Sequence, residues 1–206
     1  MRMPASLIEF LFPVLCSKKN DQLYLTFDDG PEPESIILLL DLLERYNISA
    51  TFFLVGAKIV QYSDVVREIV HRCHSIGNHS YSHKSLLWKK RNEILYELEK
   101  TNNVIAEITG KKPDFFRPPY GIFTPQVIRT ARELSMETVL WSVDTRDFKA
   151  SRELLSKIKL QKFKQGDIIL CHTNNETKSI VVPFIQQLVE NCLEQKFTFA
   201  ALENEL

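Results

Sequence analysis

The stretch Leu23-Tyr24-Leu25-Thr26-Phe27-Asp28-Asp29-Gly30-Pro31 runs an apolar segment of strand length straight into two adjacent carboxylates and a Gly-Pro turn. Its length and its aromatic and β-branched content read as a buried strand. Two neighbouring carboxylates repel each other unless a metal ion or an arginine compensates them, so Asp28 and Asp29 call for a partner from elsewhere in the chain. The plainer alternative is an acidic turn, since Asp, Gly and Pro are all common turn residues.

Outward from this segment, apolar runs alternate with amphipathic ones. Strands are expected at Leu23–Phe27, Ala50–Val55, Ser75–Gly77, Phe115–Arg117, Thr138–Val143, Asp167–His172 and Phe197–Ala201. Helices are expected at Ser35–Tyr46, Asp64–Cys73, Asn92–Ile108, Pro125–Leu134, Ser151–Phe163 and Ile180–Glu194. Thr124 before Pro125, and Ser151, are placed to cap helix starts, and Gly110 to end one. Strict alternation of this kind predicts an α/β fold with parallel strands. About seven strands suit a distorted, incomplete (β/α) barrel. In such a barrel the C-terminal strand ends gather on one face, and Asp28, Asp29, His79, His83, Arg117, Asp144, Asp147 and His172 all fall at or just after such ends.

The composition is that of a globular protein, with 44% hydrophobic and 25% charged residues in 206. Lys plus Arg equals Asp plus Glu at 26 each, which gives no electrostatic case for nucleic acid or an anionic membrane surface. Cys16, Cys73, Cys171 and Cys192 form no CxxC pair, so they read as buried or free thiols rather than a thiolate metal site. No apolar run reaches the length of a transmembrane span, and Leu7–Cys16 is broken by Glu9 and Pro13. Residues 1–20 therefore read as a leader segment packed against one domain, 21–206, rather than as a signal peptide. Localisation leans to the cytoplasm on that ground, and the oligomeric state is not legible.

Four further segments carry chemistry. His79-Ser80-Tyr81-Ser82-His83 sets two imidazoles at i and i+4, able to face one centre from a helical turn or a compact loop. With one carboxylate they would hold a catalytic metal and leave coordination positions open. His71 and His74, on the preceding helix, read as structural. Arg117-Pro118-Pro119-Tyr120-Gly121 puts an arginine at a strand end before a rigid turn that can aim a backbone N–H as an oxyanion hole requires. Trp141-Ser142-Val143-Asp144-Thr145-Arg146-Asp147-Phe148 supplies carboxylates, and Ile168-Ile169-Leu170-Cys171-His172 ends in an imidazole. A carboxylate-oriented imidazole is a general-acid arrangement.

In order and content these segments, together with Ala50-Thr51-Phe52-Phe53-Leu54-Val55-Gly56 and Ile76-Gly77-Asn78, resemble the motifs of the polysaccharide deacetylase family, also called the NodB-homology or carbohydrate esterase family four domain. The resemblance spans Leu23 to Ala201. It implies that Asp29, His79 and His83 bind a divalent metal, zinc first, with cobalt or nickel as alternatives. It implies Asp28 as general base, held and kept ionised by Arg117, and His172 as general acid oriented by Asp147, with Asp144 in a lesser supporting role. Tyr120 would give its backbone N–H to the oxyanion, and Phe148 and Leu170 would wall the acetyl-methyl pocket. The activity implied is hydrolysis of the N-acetyl group of an amino-sugar polymer or oligomer, so the expected partner is an N-acetylated glycan of chitooligosaccharide or peptidoglycan type.

Two positions depart from the pattern: Phe148 stands where tryptophan is frequent, losing an N–H donor, and Thr173 where aspartate is common, altering the surroundings of His172. No expected metal ligand or acid/base residue is missing, which points to altered substrate preference rather than lost catalysis. Two other functions remain open at this level: an amidase of the same fold acting on a non-carbohydrate acetamide or a cyclic ureide, and a catalytically silent carbohydrate-binding protein. In the loop Lys84–Arg91, Trp88 reads as packed locally in preference to stacking on a sugar.

Overall fold

A computed structural model describes residues 4–147, 162–173 and 178–203; the helix expected at Ser151–Phe163 and the wall residue Phe148 lie outside all or most of these. The described strands are β1 (Gln22–Gly30), β2 (Thr51–Leu54), β3 (Ser75–Asn78), β4 (Phe115–Phe116), β5 (Glu137–Thr138), β6 (Val143–Asp144), β7 (Ile168–His172) and β8 (Thr198–Phe199). The described helices are α1 (Ala5–Leu11), α2 (Pro33–Arg45), α3 (Gly56–Gln61), α4 (Ser63–His71), α5 (Arg91–Thr109), α6 (Pro125–Glu133) and α7 (Lys178–Glu194). The sheet order is β5-β4-β3-β2-β1-β7-β6, with β8 beside the start of β1, and every pairing is parallel. The result is a curled, unclosed (β/α) barrel in which β1 is central.

Strand residues alternate between two apolar layers, as the period of two requires. Leu23, Leu25, Phe27, Phe52, Leu54, Ile169 and Cys171 face outward, against helix residues that include Leu39, Leu40, Leu43, Ile185 and Leu188. Tyr24, Phe53, Phe115, Val139 and Ile168 face inward, with Leu202. Burial on both faces explains why these strands read as continuous apolar runs. The same alternation carries Thr26 and Asp28 onto the inner face after Tyr24, and Leu170 and His172 after Ile168.

The single strand expected at Thr138–Val143 is two. Glu137–Thr138 pairs with β4 and Val143–Asp144 with β7, at opposite ends of the sheet order, so the residues between them cross the barrel's opening. There Leu15 forms a parallel bridge to Val139, and Ser17 an antiparallel one to Asp167. The segment after α1 thus joins the β5 edge to the start of β7. Glu9 holds this turn back on itself, its carboxylate accepting from the backbone N–H of Cys16 at 2.6 Å and of Ser17 at 2.8 Å. Helix starts and stops follow their signals: the Thr124 hydroxyl accepts from Val127 N at 3.3 Å, and Gly110 ends α5 with φ of 76°.

Among the described residues no helix is long and apolar enough to cross a membrane. All four cysteines are free, and Cys73 is the exposed one.

Candidate active site

The C-terminal ends of β1 and β3 bring Asp29, His79 and His83 together, their ligating atoms all within 4.8 Å of one another. His79 and His83 sit on a compact loop rather than a helical turn, with Ser80 and His83 in left-handed backbone conformations at φ of 64° and 55°. Asp29 is left-handed too, at φ of 72°. His79 Nε2 lies 3.4 Å from Asp29 Oδ1 and 3.8 Å from Asp28 Oδ2, so this imidazole stands between the two carboxylates. The Lys58 ammonium donates to the Asp29 carbonyl at 2.9 Å and pairs with Glu32.

The donor set fits a divalent metal on its own geometry. His79 Nδ1 lies 2.7 Å from the Arg117 carbonyl, an acceptor that requires the ring proton on Nδ1. A neutral His79 therefore presents a lone pair on Nε2, 3.4 Å from Asp29 Oδ1, with His83 Nε2 3.0 Å from the same oxygen. Acceptors that face one another this closely repel unless a ring proton or a metal ion lies between them. A carbonyl-oriented imidazole of this kind is the usual arrangement behind a metal-ligating histidine. Burial pushes the Asp29 carboxyl up, but hydrogen bonds from the two imidazoles outweigh it and hold it well below the usual carboxylate range.

Asp28 and Arg117 form a buried pair, 4% and 0% exposed. Arg117 Nη1 donates to Asp28 Oδ1 at 2.7 Å and to the Thr26 hydroxyl at 2.8 Å, and Nη2 donates to the Leu140 carbonyl at 2.8 Å. The guanidinium lies over the Phe53 ring at 4.1 Å. Burial pulls the Arg117 guanidinium down, and the Asp28 carboxylate opposes it. Compensation of the acidic pair is therefore shared: Arg117 pairs with Asp28, both imidazoles face Asp29, and His79 also faces Asp28.

Across the β1–β7 register, Asp28 lies opposite His172. His172 Nδ1 meets Asp147 Oδ1 at 2.8 Å, and its backbone N–H donates to Asp147 Oδ2 at 2.7 Å. Asp147 thus fixes the ring through its Nδ1 side. Burial lowers the His172 pKa, but the Asp147 hydrogen bond and the Asp147, Asp28 and Asp29 charges raise it to about 9, so the ring is protonated at neutral pH. Leu170 is buried two residues before it on the same face. Asp144 accepts from Arg146 N at 3.0 Å, shaping the turn that leads to Asp147.

Tyr120 lies in a short 3-10 turn, Pro119–Gly121, with φ of 61° and ψ of 6°. Its ring is 4.9 Å from the His83 ring, and its hydroxyl donates to the His83 carbonyl at 3.3 Å. Gly121, also left-handed, leaves room for the Trp141 ring, which an added Cβ would meet at 2.5 Å.

Thr173 serves β1, donating from both its N–H and its hydroxyl to the Asp28 carbonyl at 3.0 Å. His74 is off the helix that was expected to carry it. It is buried, its Nδ1 accepting from Ala50 N at 3.1 Å, and burial lowers its pKa to about 4. Trp88 is not packed locally: it is 90% exposed. Sequence patterns did not single out Thr26 or the Leu140 carbonyl, which complete the Arg117 cradle. For Thr26 the one available signal was its period-two spacing before Asp28.

A family model described as polysaccharide deacetylase matches residues 17–139. A peptidoglycan-N-acetylglucosamine deacetylase of Bacillus cereus is 37% identical over 150 residues, covering 72% of this chain and 54% of the relative. A chitooligosaccharide deacetylase of Azorhizobium caulinodans is 31% identical over 159 residues, 76% of this chain and 75% of the relative. A crystal structure of a peptidoglycan N-acetylglucosamine deacetylase superposes with a TM-score of 0.88 at 32% identity, covering 97% of this chain and 94% of that one. The chain spans about half the length of the first of these relatives.

Proposed function

Since this chain belongs to the polysaccharide deacetylase family, we propose that it hydrolyses the N-acetyl group of an amino-sugar polymer or oligomer, of the peptidoglycan or chitooligosaccharide kind on which its relatives are named. The observation that carries this reading is the pairing of an arginine-held carboxylate, Asp28, with an aspartate-held imidazole, His172, on adjacent strands beside the Asp29, His79 and His83 cluster. A binding site alone needs no such division between acceptor and donor.

Asp29, His79 and His83 would hold the metal, and zinc suits a set of one carboxylate and two imidazoles with open positions. When bound, such an ion polarises the acetamide carbonyl and acidifies water. Asp28, held in place by Arg117, takes a proton from the attacking water. The backbone N–H of Tyr120 donates to the oxygen that becomes negative at the tetrahedral carbon. One such donor is worth about 3 kcal/mol of barrier. His172, already charged, gives its proton to the sugar nitrogen as the C–N bond breaks, so acetate and a free amino sugar leave. Leu170 keeps water from the methyl end of the acetamide, with Phe148 as the proposed opposite wall.

The test is acetate release from N-acetylglucosamine oligomers and from peptidoglycan fragments by metal-stripped protein reloaded with zinc, alongside Asp28→Asn and His83→Ala. Release restored by zinc and lost in both variants is expected. No release from any glycan by protein carrying zinc would overturn the substrate reading.

A further inference from the structure

Every backbone N–H between the two imidazoles of the cluster is taken by a side-chain oxygen. Ser80 N donates to Asn78 Oδ1 at 2.8 Å, and His83 N to the Ser80 hydroxyl at 3.1 Å. The two between them go to one residue on a different element: Tyr81 N donates to Glu97 Oε2 at 3.0 Å and Ser82 N to the same oxygen at 2.8 Å. The Ser82 hydroxyl donates to Glu97 Oε1 at 2.8 Å. Glu97 lies on α5, the helix whose Leu98 carbonyl and Asn102 side chain also hold Asn78, at 2.8 and 2.7 Å. From the opposite side, Gly56 N and Ala57 N at the start of α3 donate to the Ser80 and Tyr81 carbonyls at 2.9 and 3.0 Å.

The loop is thus clamped between α3 and α5. Its left-handed residues, Ser80 and His83, have conformations that persist only where surroundings over-determine them. Glu97 is the largest single contributor to that clamp, and it touches neither imidazole.

We propose that Glu97 is a positioning residue for the metal site: its carboxylate gathers Tyr81 and Ser82 so that His79 and His83 are aimed at one centre before any ion arrives. This rests on the metal reading given above. Without Glu97, two amides and a hydroxyl lose their acceptors, the loop relaxes, and ion binding must then order it again. A carboxamide can reproduce the geometry, one oxygen accepting both amides while its NH2 faces the Ser82 hydroxyl, whereas a carboxylate drawn back by one methylene cannot reach.

The experiment is zinc titration of the metal-stripped full chain against a chromogenic chelator, for wild type, Glu97→Ala, Glu97→Asp and Glu97→Gln, with melting temperatures of the stripped and loaded forms. Glu97→Ala and Glu97→Asp are expected to bind zinc at least about tenfold more weakly, the lower end for residues that orient metal ligands. Glu97→Gln is expected to stay within about threefold of wild type. Glu97→Asp decides the matter should Glu97→Ala fail to fold. Unchanged zinc affinity, with equal drops in the melting temperature of stripped and loaded protein, would overturn the proposal and leave a merely structural Glu97. Wild type that takes up no zinc would overturn the metal reading itself, and this proposal with it.

Discussion

Replacing Arg117 by methionine keeps much of its buried volume and removes its charge, leaving the Asp28 carboxyl group at 4% exposure with its nearest cation gone. Breaking one side of a buried pair costs about 3–5 kcal/mol, most of it the uncompensated partner. In a chain of 206 residues each kcal/mol moves the melting temperature by roughly 2–4 °C, so a drop of about 6–20 °C is expected. The loss of donors to Thr26 and Leu140 falls within that range. The decisive assay is urea unfolding of metal-stripped wild type, Arg117→Met, Asp28→Asn and the double variant, followed by circular dichroism. If the cost is the stranded carboxylate, Asp28→Asn should restore part of what Arg117→Met loses, with a coupling of about 2 kcal/mol or more. A loss below about 1 kcal/mol in Arg117→Met, or strict additivity in the double variant, would refute the claim that the arginine is there to hold the base.

Other perturbations reach other parts of the site. Zinc at a hundred times its dissociation constant should stabilise the folded chain by about 2.7 kcal/mol, read as a thermal shift that chelator reverses and His83→Ala abolishes. In metal-stripped protein the raised His172 pKa, about 9 against 6.5, contributes stability that is complete below pH 6.5 and lost as the pH climbs through 9. The loss should be on the order of 1–3 kcal/mol, and chemical unfolding across that window should show it in wild type but not in His172→Gln. Gly56→Ala would drive a methyl to within 2.6 Å of both the Thr101 hydroxyl and the Tyr81 ring. A stability loss of about 1–3 kcal/mol and weakened zinc binding should accompany it, measured by denaturant midpoint and chelator competition.

The alternating pattern was enough to foresee a parallel, incomplete barrel, because strands covered on both faces leave uninterrupted apolar runs such as Leu23–Phe27. It also foresaw the face on which Asp28 and His172 meet, since both end such runs. Periodicity could not divide Thr138–Val143: Val139 is bridged by Leu15 and Leu140 packs with Val14 and Cys16, and partners more than 120 positions away leave no local trace. The short helices α1 and α3 were missed because each has about two turns, too few for a helical period to stand out. Trp88 was misjudged because exposure is set by what lies across a loop, which its neighbours in sequence do not encode. Glu97 was not singled out by any sequence pattern, and only the folded loop shows what it accepts.

The central place of β1 also sets an order of assembly. Asp29, His79 and His83 are all synthesised by position 83, and β1, β2 and β3 can pair in the order in which they emerge. The partner on the other side of β1 comes far later, with Thr173 and Asp28 separated by 145 positions in the chain. At about 5–20 residues per second, the interval between His83 and His172 lasts roughly 5 to 20 s. During it the β7-facing edge of β1 stands open. A growing chain thus carries Asp29, His79 and His83 well before it carries His172, so the half of the site proposed to grip an ion is finished before the half proposed to give up a proton.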